Sequence, residues 1–135
     1  MSDGSDTHEY EVVVVGGGPA GMTAGLYSTR LGHRTAVVSR GGGRAARTQE
    51  VHNLLGVREE TSGAEFLGVG QDQLEAYGCD QHRDMVTSCS RTDDGRFRLS
   101  GNSDAYEAEA VVLATGFNDV RPDPPLPRTG RGLHY

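Results

Sequence analysis

Apolar positions along this chain fall into distinct patterns, and each predicts a different element. Val12-Val13-Val14-Val15 is an unbroken β-branched run between Glu11 and a cluster of glycines, as expected of a strand buried on both faces of a parallel sheet. Thr35-Ala36-Val37-Val38-Ser39 and Val111-Val112-Leu113-Ala114-Thr115-Gly116 read as two further strands of that kind. Residues 22–31 set Met22, Leu26, Tyr27 and Leu31 on one helical face, and Gly32 closes the segment. Residues 63–77 predict a second helix with Phe66, Leu67, Val69, Gly70, Leu74 and Tyr77 on its apolar face, Ser62 as its cap and Gly78 at its end.

Downstream the period shortens. Cys79–His82, Met85–Cys89, Arg96–Ser100 and Ala105–Glu109 read as short strands, and Thr92-Asp93-Asp94-Gly95 predicts a hairpin turn before the alternating Arg96-Phe97-Arg98-Leu99-Ser100. Pro122, Pro124, Pro125 and Pro127 then exclude regular structure and mark a linker. The organisation predicted is a polar, disordered leader over 1–10, one α/β domain over 11–120 and a Pro/Gly-rich linker over 121–135.

The turn between the first strand and the first helix carries the chemistry. Gly16, Gly18 and Gly21 stand in G-x-G-x-x-G spacing. In a dinucleotide site the first glycine makes the tight turn, the second lets a pyrophosphate approach the backbone, and the third lets the helix pack close to the strand. A helix opening at Pro19 or Ala20 aims its free N–H groups and positive dipole end at that pyrophosphate. Glycine makes up 20 of 135 residues, so the spacing alone carries little weight. The strand before it, the helix after it and a second strand within about thirty residues make it a βαβ unit.

Composition narrows the partners. Nineteen acidic residues face thirteen basic ones, for a net charge of −6, and all thirteen basic residues are arginines. That balance argues against nucleic acid, and a lysine-free acidic chain is compositionally like proteins of salt-loving organisms. No apolar run approaches the roughly 20 residues of a membrane span, and the first ten residues lack the features of a signal peptide. A cytoplasmic location is expected. Cys79 and Cys89 form no Cys-x-x-Cys, and neither they nor the five histidines make a zinc pattern. Two reduced thiols are expected, and no metal.

The stretch from Val12 to Tyr27 resembles the FAD-binding opening of the two-dinucleotide-domain flavoproteins, and within them the thioredoxin-reductase-like branch. Val51-His52-Asn53-Leu54-Leu55-Gly56 and Ala110-Val111-Val112-Leu113-Ala114-Thr115-Gly116 resemble two further segments of that branch. The resemblance implies a Rossmann-like, three-layer α/β domain: a mostly parallel sheet with helices and a small antiparallel β-meander. It implies FAD as cofactor, with Gly16, Gly18, Pro19, Ala20 and Gly21 at the pyrophosphate.

Ser39 and Arg40 replace the acidic residue that often binds a ribose. They and the backbone as far as Ala46 are expected near the ribose, an arginine there could instead meet a 2′-phosphate, and a solvated loop is the plain alternative. By resemblance Asn53 lies near the flavin ring, Val86 offers its backbone to the adenine, and Ala114, Thr115 and Gly116 end a strand on the flavin side. Asn53 capping a turn and Val86 as a core valine remain open.

In the resembling enzymes NADPH reduces FAD, which reduces a disulphide, and a segment like Gly130–Tyr135 runs into Cys-x-x-Cys and a nicotinamide domain. Here the sequence stops at Tyr135. The 135 residues by themselves are expected to hold FAD weakly and to lack reductase turnover. A complementing chain carrying Cys-x-x-Cys and the nicotinamide site, or a homodimer, is the expected partner. A non-catalytic dinucleotide module and an NADP-binding Rossmann domain are the alternatives, and no residue is assigned as a catalytic acid, base or nucleophile.

Overall fold

The computed structural model describes residues 5–120. Its elements are β1 (Thr7–Val15), α1 (Pro19–Arg30), β2 (Thr35–Ser39), α2 (Arg44–Arg47), α3 (Gly63–Tyr77), β3 (Asp80–Arg83), β4 (Val86–Arg91), β5 (Phe97–Gly101) and β6 (Ala105–Leu113). They build one six-stranded sheet in the order β3-β2-β1-β6-β5-β4. The first four strands in that order run parallel, and β5 and β4 add antiparallel.

Alternation along β1 decides the layers. Val14 faces α1 and α3, in a core with Met22, Val37, Leu67, Leu74 and Cys79. Val13 faces the other way, with Tyr10, Ala36, Val38, Leu99, Tyr106 and Ala108. Leu99 of β5 packs there, so the antiparallel ribbon covers the face that the helices leave. Both valines are fully buried, and burying such a side chain stabilises a fold by about 1.5–3 kcal/mol. The valine run is therefore buried on both faces, as its composition predicts.

Several boundaries differ from the sequence expectation. Residues 7–10, expected within a disordered leader, form the first half of β1, pair with Ala105–Ala108 and bury Tyr10. The polar residues Thr7 and Glu9 point outward, which hid the period of two. Ala105–Glu109 and the strand that follows it are one continuous β6, because the full length of β1 offers it a parallel partner. Asp80–Arg83 belongs to the parallel edge beside β2, not to the meander. The linker expected over 121–135 and residues 1–4 lie outside the described residues.

The helices also turn differently. On α1, Tyr27 and Leu31 are 62% and 74% exposed, and Gly21, Met22 and Gly25 face the sheet instead. The helix lies so near that a Cβ on Gly25 would come within 2.6 Å of Val37 Cγ2. Val69 and Tyr77 of α3 are likewise exposed, and Leu67 and Leu74 are buried. Its caps are as predicted: Ser62 Oγ accepts from the Glu65 N–H at 3.1 Å, and Gly78 ends the helix in the left-handed region. Ser62→Ala is expected to lower stability by about 1 kcal/mol, read from chemical denaturation, with no change in the sheet.

One buried carboxylate ties the two layers together. Asp84, just past β3, accepts from the N–H groups of Met85 (2.8 Å), Ser103 (3.1 Å) and Asp104 (3.1 Å) and from the Tyr106 hydroxyl (3.0 Å). Burial alone would push this carboxyl up, but those donors together hold it below its ordinary value.

Candidate functional site

The carboxyl ends of β1, β2 and β3 open onto a cleft of about 520 Å³, closed on one side by α3. Gly17, Ser39, Gly41, Gly42, Ala46 and Arg83 line its strand side. Ligands of open α/β sheets sit at this end of the strands. Asp72 and Glu75 of α3 are at the opposite wall.

Three glycines of the β1–α1 turn do three different things. Gly16 has φ +116°, and a Cβ there would overlap the carbonyl oxygen of Ala114 at the end of β6. A Cβ on Gly21 would overlap the carbonyl oxygen of Gly16 and touch Ala114 Cβ, so this glycine lets α1 seat on the turn. Gly18 is the N-cap of α1, with φ −77° and ψ −174°, a conformation any residue adopts, and nothing lies within 4 Å of where its Cβ would be. The fold needs the first and the third. The second faces open space.

Pro19 and Ala20 form the exposed first turn of α1, which contains no acidic residue, and the cap has no side-chain bond. The N–H groups and positive dipole end at this terminus are thus left for an anion. Ser39 stands directly beneath the turn: a Cβ on Gly17 would meet its Oγ at 2.7 Å, and that oxygen accepts from the Gly41 N–H at 3.1 Å.

The remaining candidate residues divide. Ala46, in the short helix α2, lines the cleft, and Ala114 packs beneath the glycine turn. Arg40 is exposed and outside the cleft lining. The guanidinium over the glycine loop belongs to Arg83, about 2.9 Å from where a Gly41 Cβ would be. Asn53, Thr115 and Gly116 are exposed and apart from the cleft lining, as is the half-buried Val86, which packs against the core that holds Leu99. His52 pairs with Glu50 at 3.1 Å on the surface.

Arg83, Gln81 and His82 were missed from sequence because the strand that carries them was assigned to the meander rather than to the parallel edge. His82 also lines the cleft; its burial, and then the neighbouring His8, hold its imidazole below the ordinary range, so it is neutral at pH 7. The cysteines are unbridged, Cys79 buried and Cys89 exposed on β4. Burial pushes the Cys79 thiol up, which keeps it protonated and unreactive. Among the described residues no helix is long and apolar enough to cross a membrane.

Comparison with known proteins places the chain in a family and a fold. Residues 10–134 match the family described as pyridine nucleotide-disulphide oxidoreductase. The chain is similar to the thioredoxin reductase of Helicobacter pylori, 34% identical over 82% of this chain and 37% of that protein. It is also similar to the thioredoxin reductase of Peptoclostridium litorale, 32% identical over 93% of this chain and 41% of that protein. The solved structure of a thioredoxin reductase from Gloeobacter violaceus superposes with a TM-score of 0.76 at 32% identity, over 81% of this chain and 35% of that one. The chain thus spans well under half the length of the relatives it matches.

Proposed function

The chain belongs to the pyridine nucleotide-disulphide oxidoreductase family, and we propose that it is the FAD-binding part of a thioredoxin-reductase-like flavoenzyme. The observation that carries this reading is Gly18: a glycine at a helix N-cap that neither backbone conformation nor packing requires. A residue kept small over open space, at the positive end of a helix, suits a phosphate that must reach the backbone.

The residues fit the cofactor. The N–H groups of the first turn of α1, opening at Pro19 and Ala20, would hold the pyrophosphate, with Gly16 and Gly21 setting the turn. Ser39 would meet a ribose hydroxyl, and Arg83 and Ala46 would border the adenosine half. Bound FAD supplies the hydride and electron chemistry between a reduced nicotinamide and a disulphide. The protein's share here is to hold and orient the nucleotide end. Arg40 lies outside the cleft, which removes the support for a 2′-phosphate site built on it.

Asn53 and Thr115, at the flavin side, would be completed by further polypeptide. Val112, Leu113, Phe117 and Val120 are exposed at the carboxyl end of β6, with Leu113 72% exposed. That apolar edge favours cover by the remainder of such an enzyme, by a complementing chain bearing Cys-x-x-Cys and the nicotinamide site, or by a second copy. The acidic, lysine-free composition favours work in a salt-rich cytoplasm.

Titrating FAD into the purified chain in high salt, with flavin fluorescence as the signal, tests the reading. Saturable one-to-one quenching that ADP competes away is the expected result. A chain that ignores both FAD and ADP would leave the glycine turn as a fold feature without a ligand.

A further inference from the structure

The fold brings together three potential metal ligands that lie far apart in the chain. His8 stands near the start of β1, His82 in β3 and Asp104 in the turn before β6, and their ligand atoms all lie within 4.8 Å of one another. His8 Nε2 is 2.9 Å from Asp104 Oδ2. The two imidazole rings are 4.6 Å apart between centroids. All three residues are half-buried, so the site is shielded yet keeps an open side for water.

We propose that His8, His82 and Asp104 bind one divalent transition-metal ion of the zinc class, which clips the start of β1 and the β5–β6 turn to the edge strand β3. Two imidazoles and one carboxylate are a borderline donor set, suited to zinc, cobalt or nickel and not to the all-oxygen preference of calcium or magnesium. Metal bonds of about 2.0–2.2 Å require ligand atoms roughly 3–3.5 Å apart, which small side-chain rotations from the observed spacing supply.

The neighbours suit a cation and steady its ligands. The Tyr10 hydroxyl joins His82 Nε2 (2.7 Å) to Asp80 Oδ2 (2.8 Å). Because Tyr10 gives its one hydroxyl proton to Asp80, His82 Nε2 carries the N–H that meets the Tyr10 oxygen; metal binding takes a ring nitrogen of His82 that bears no proton, and the Tyr10 hydroxyl keeps Asp80 as its acceptor. Asp104 uses its other oxygen to accept from the Asp6 N–H, at 3.3 Å. The ring of Tyr106 stacks on His8 at 5.6 Å and limits its rotation. Asp80 and Asp84 add negative charge around the site, and the cations near Tyr10 are Arg34, over its ring, and Arg96, at its carbonyl.

Calorimetric titration of zinc chloride into the chelator-stripped full chain, with thermal unfolding in parallel, decides the matter. One ion per chain and a raised unfolding midpoint are expected. His8→Gln and His82→Gln should each weaken binding by roughly 100-fold, since each removes one of three protein ligands. His52→Gln and Cys89→Ser should leave it unchanged. Absence of binding at submillimolar zinc, or binding that survives both ligand substitutions, would overturn the site. Cobalt in the unmutated chain gives an answer free of folding artefacts: nitrogen and oxygen ligation supports the site, and a thiolate charge-transfer band assigns the metal to a cysteine and sinks it.

Discussion

Gly18→Ala is expected to cost this chain little stability and to remove most of its affinity for FAD, whereas Gly16→Ala is expected to cost the fold itself. At Gly18 the backbone is extended and the space beyond is empty, so a methyl group meets no protein atom. Alanine is a poorer N-cap than glycine, so a stability cost of up to about 1 kcal/mol is expected. On the proposed reading the same methyl would stand where a pyrophosphate would touch the helix terminus, and a loss of roughly 30–100-fold in affinity, about 2–3 kcal/mol, is expected.

At Gly16 both terms reverse. The left-handed φ disfavours any side chain, and the Ala114 carbonyl already occupies the Cβ position. The turn must open and β6 must shift, for a cost of about 3 kcal/mol or more out of the roughly 5–15 kcal/mol that holds a domain together. Circular-dichroism melts and FAD titrations of both variants separate the two roles. A Gly18→Ala protein that unfolds as early as Gly16→Ala, or one that binds FAD as the parent does, would contradict the assignment.

Asp84→Ala should be the most damaging substitution away from the cleft. The carboxylate is 7% exposed and is the common acceptor of three backbone N–H groups and one hydroxyl. Alanine leaves the buried Tyr106 hydroxyl and three part-buried N–H groups without their acceptor, and a loss of about 3 kcal/mol is expected in denaturant unfolding. Asparagine restores an acceptor oxygen without the charge and should cost less.

The pH dependence has a definite sign. The folded carboxyl titrates below its ordinary value, so its stabilisation is fully present above the unfolded pKa, about 3.9. It fades as the pH falls through the lower, folded value. Acid unfolding of the parent below about pH 4 should therefore be steeper than that of Asp84→Asn. Equal acid sensitivity of the two proteins would remove Asp84 from this role.

Local information explains much of what was legible in the chain. The valine run, the glycine spacing, the Ser62 and Gly78 caps and the Asp-Gly hairpin are each set by neighbours within a few residues, and each is found where it was expected. Faces and boundaries were less legible. Tyr27 and Leu31 fit a helical stripe by spacing, yet glycines lead α1 onto the sheet, because the strand beneath admits only a close approach. Residues 7–10 looked like solvated leader because their polar side chains alternate with buried ones.

By itself the sequence determined the family, the βαβ unit and the glycine turn that opens α1, since these rest on contiguous residues whose conformations and spacing are local. Tertiary structure alone decided that Arg83, and not Arg40, lies over the glycine loop, because β3 joins the parallel edge of the sheet. It also decided that Asp84 ties the layers together and that His8, 96 residues from Asp104, meets it beside His82. Contacts between segments so far apart depend on which strands pair and how the antiparallel ribbon covers the sheet. No short window of the chain contains that information.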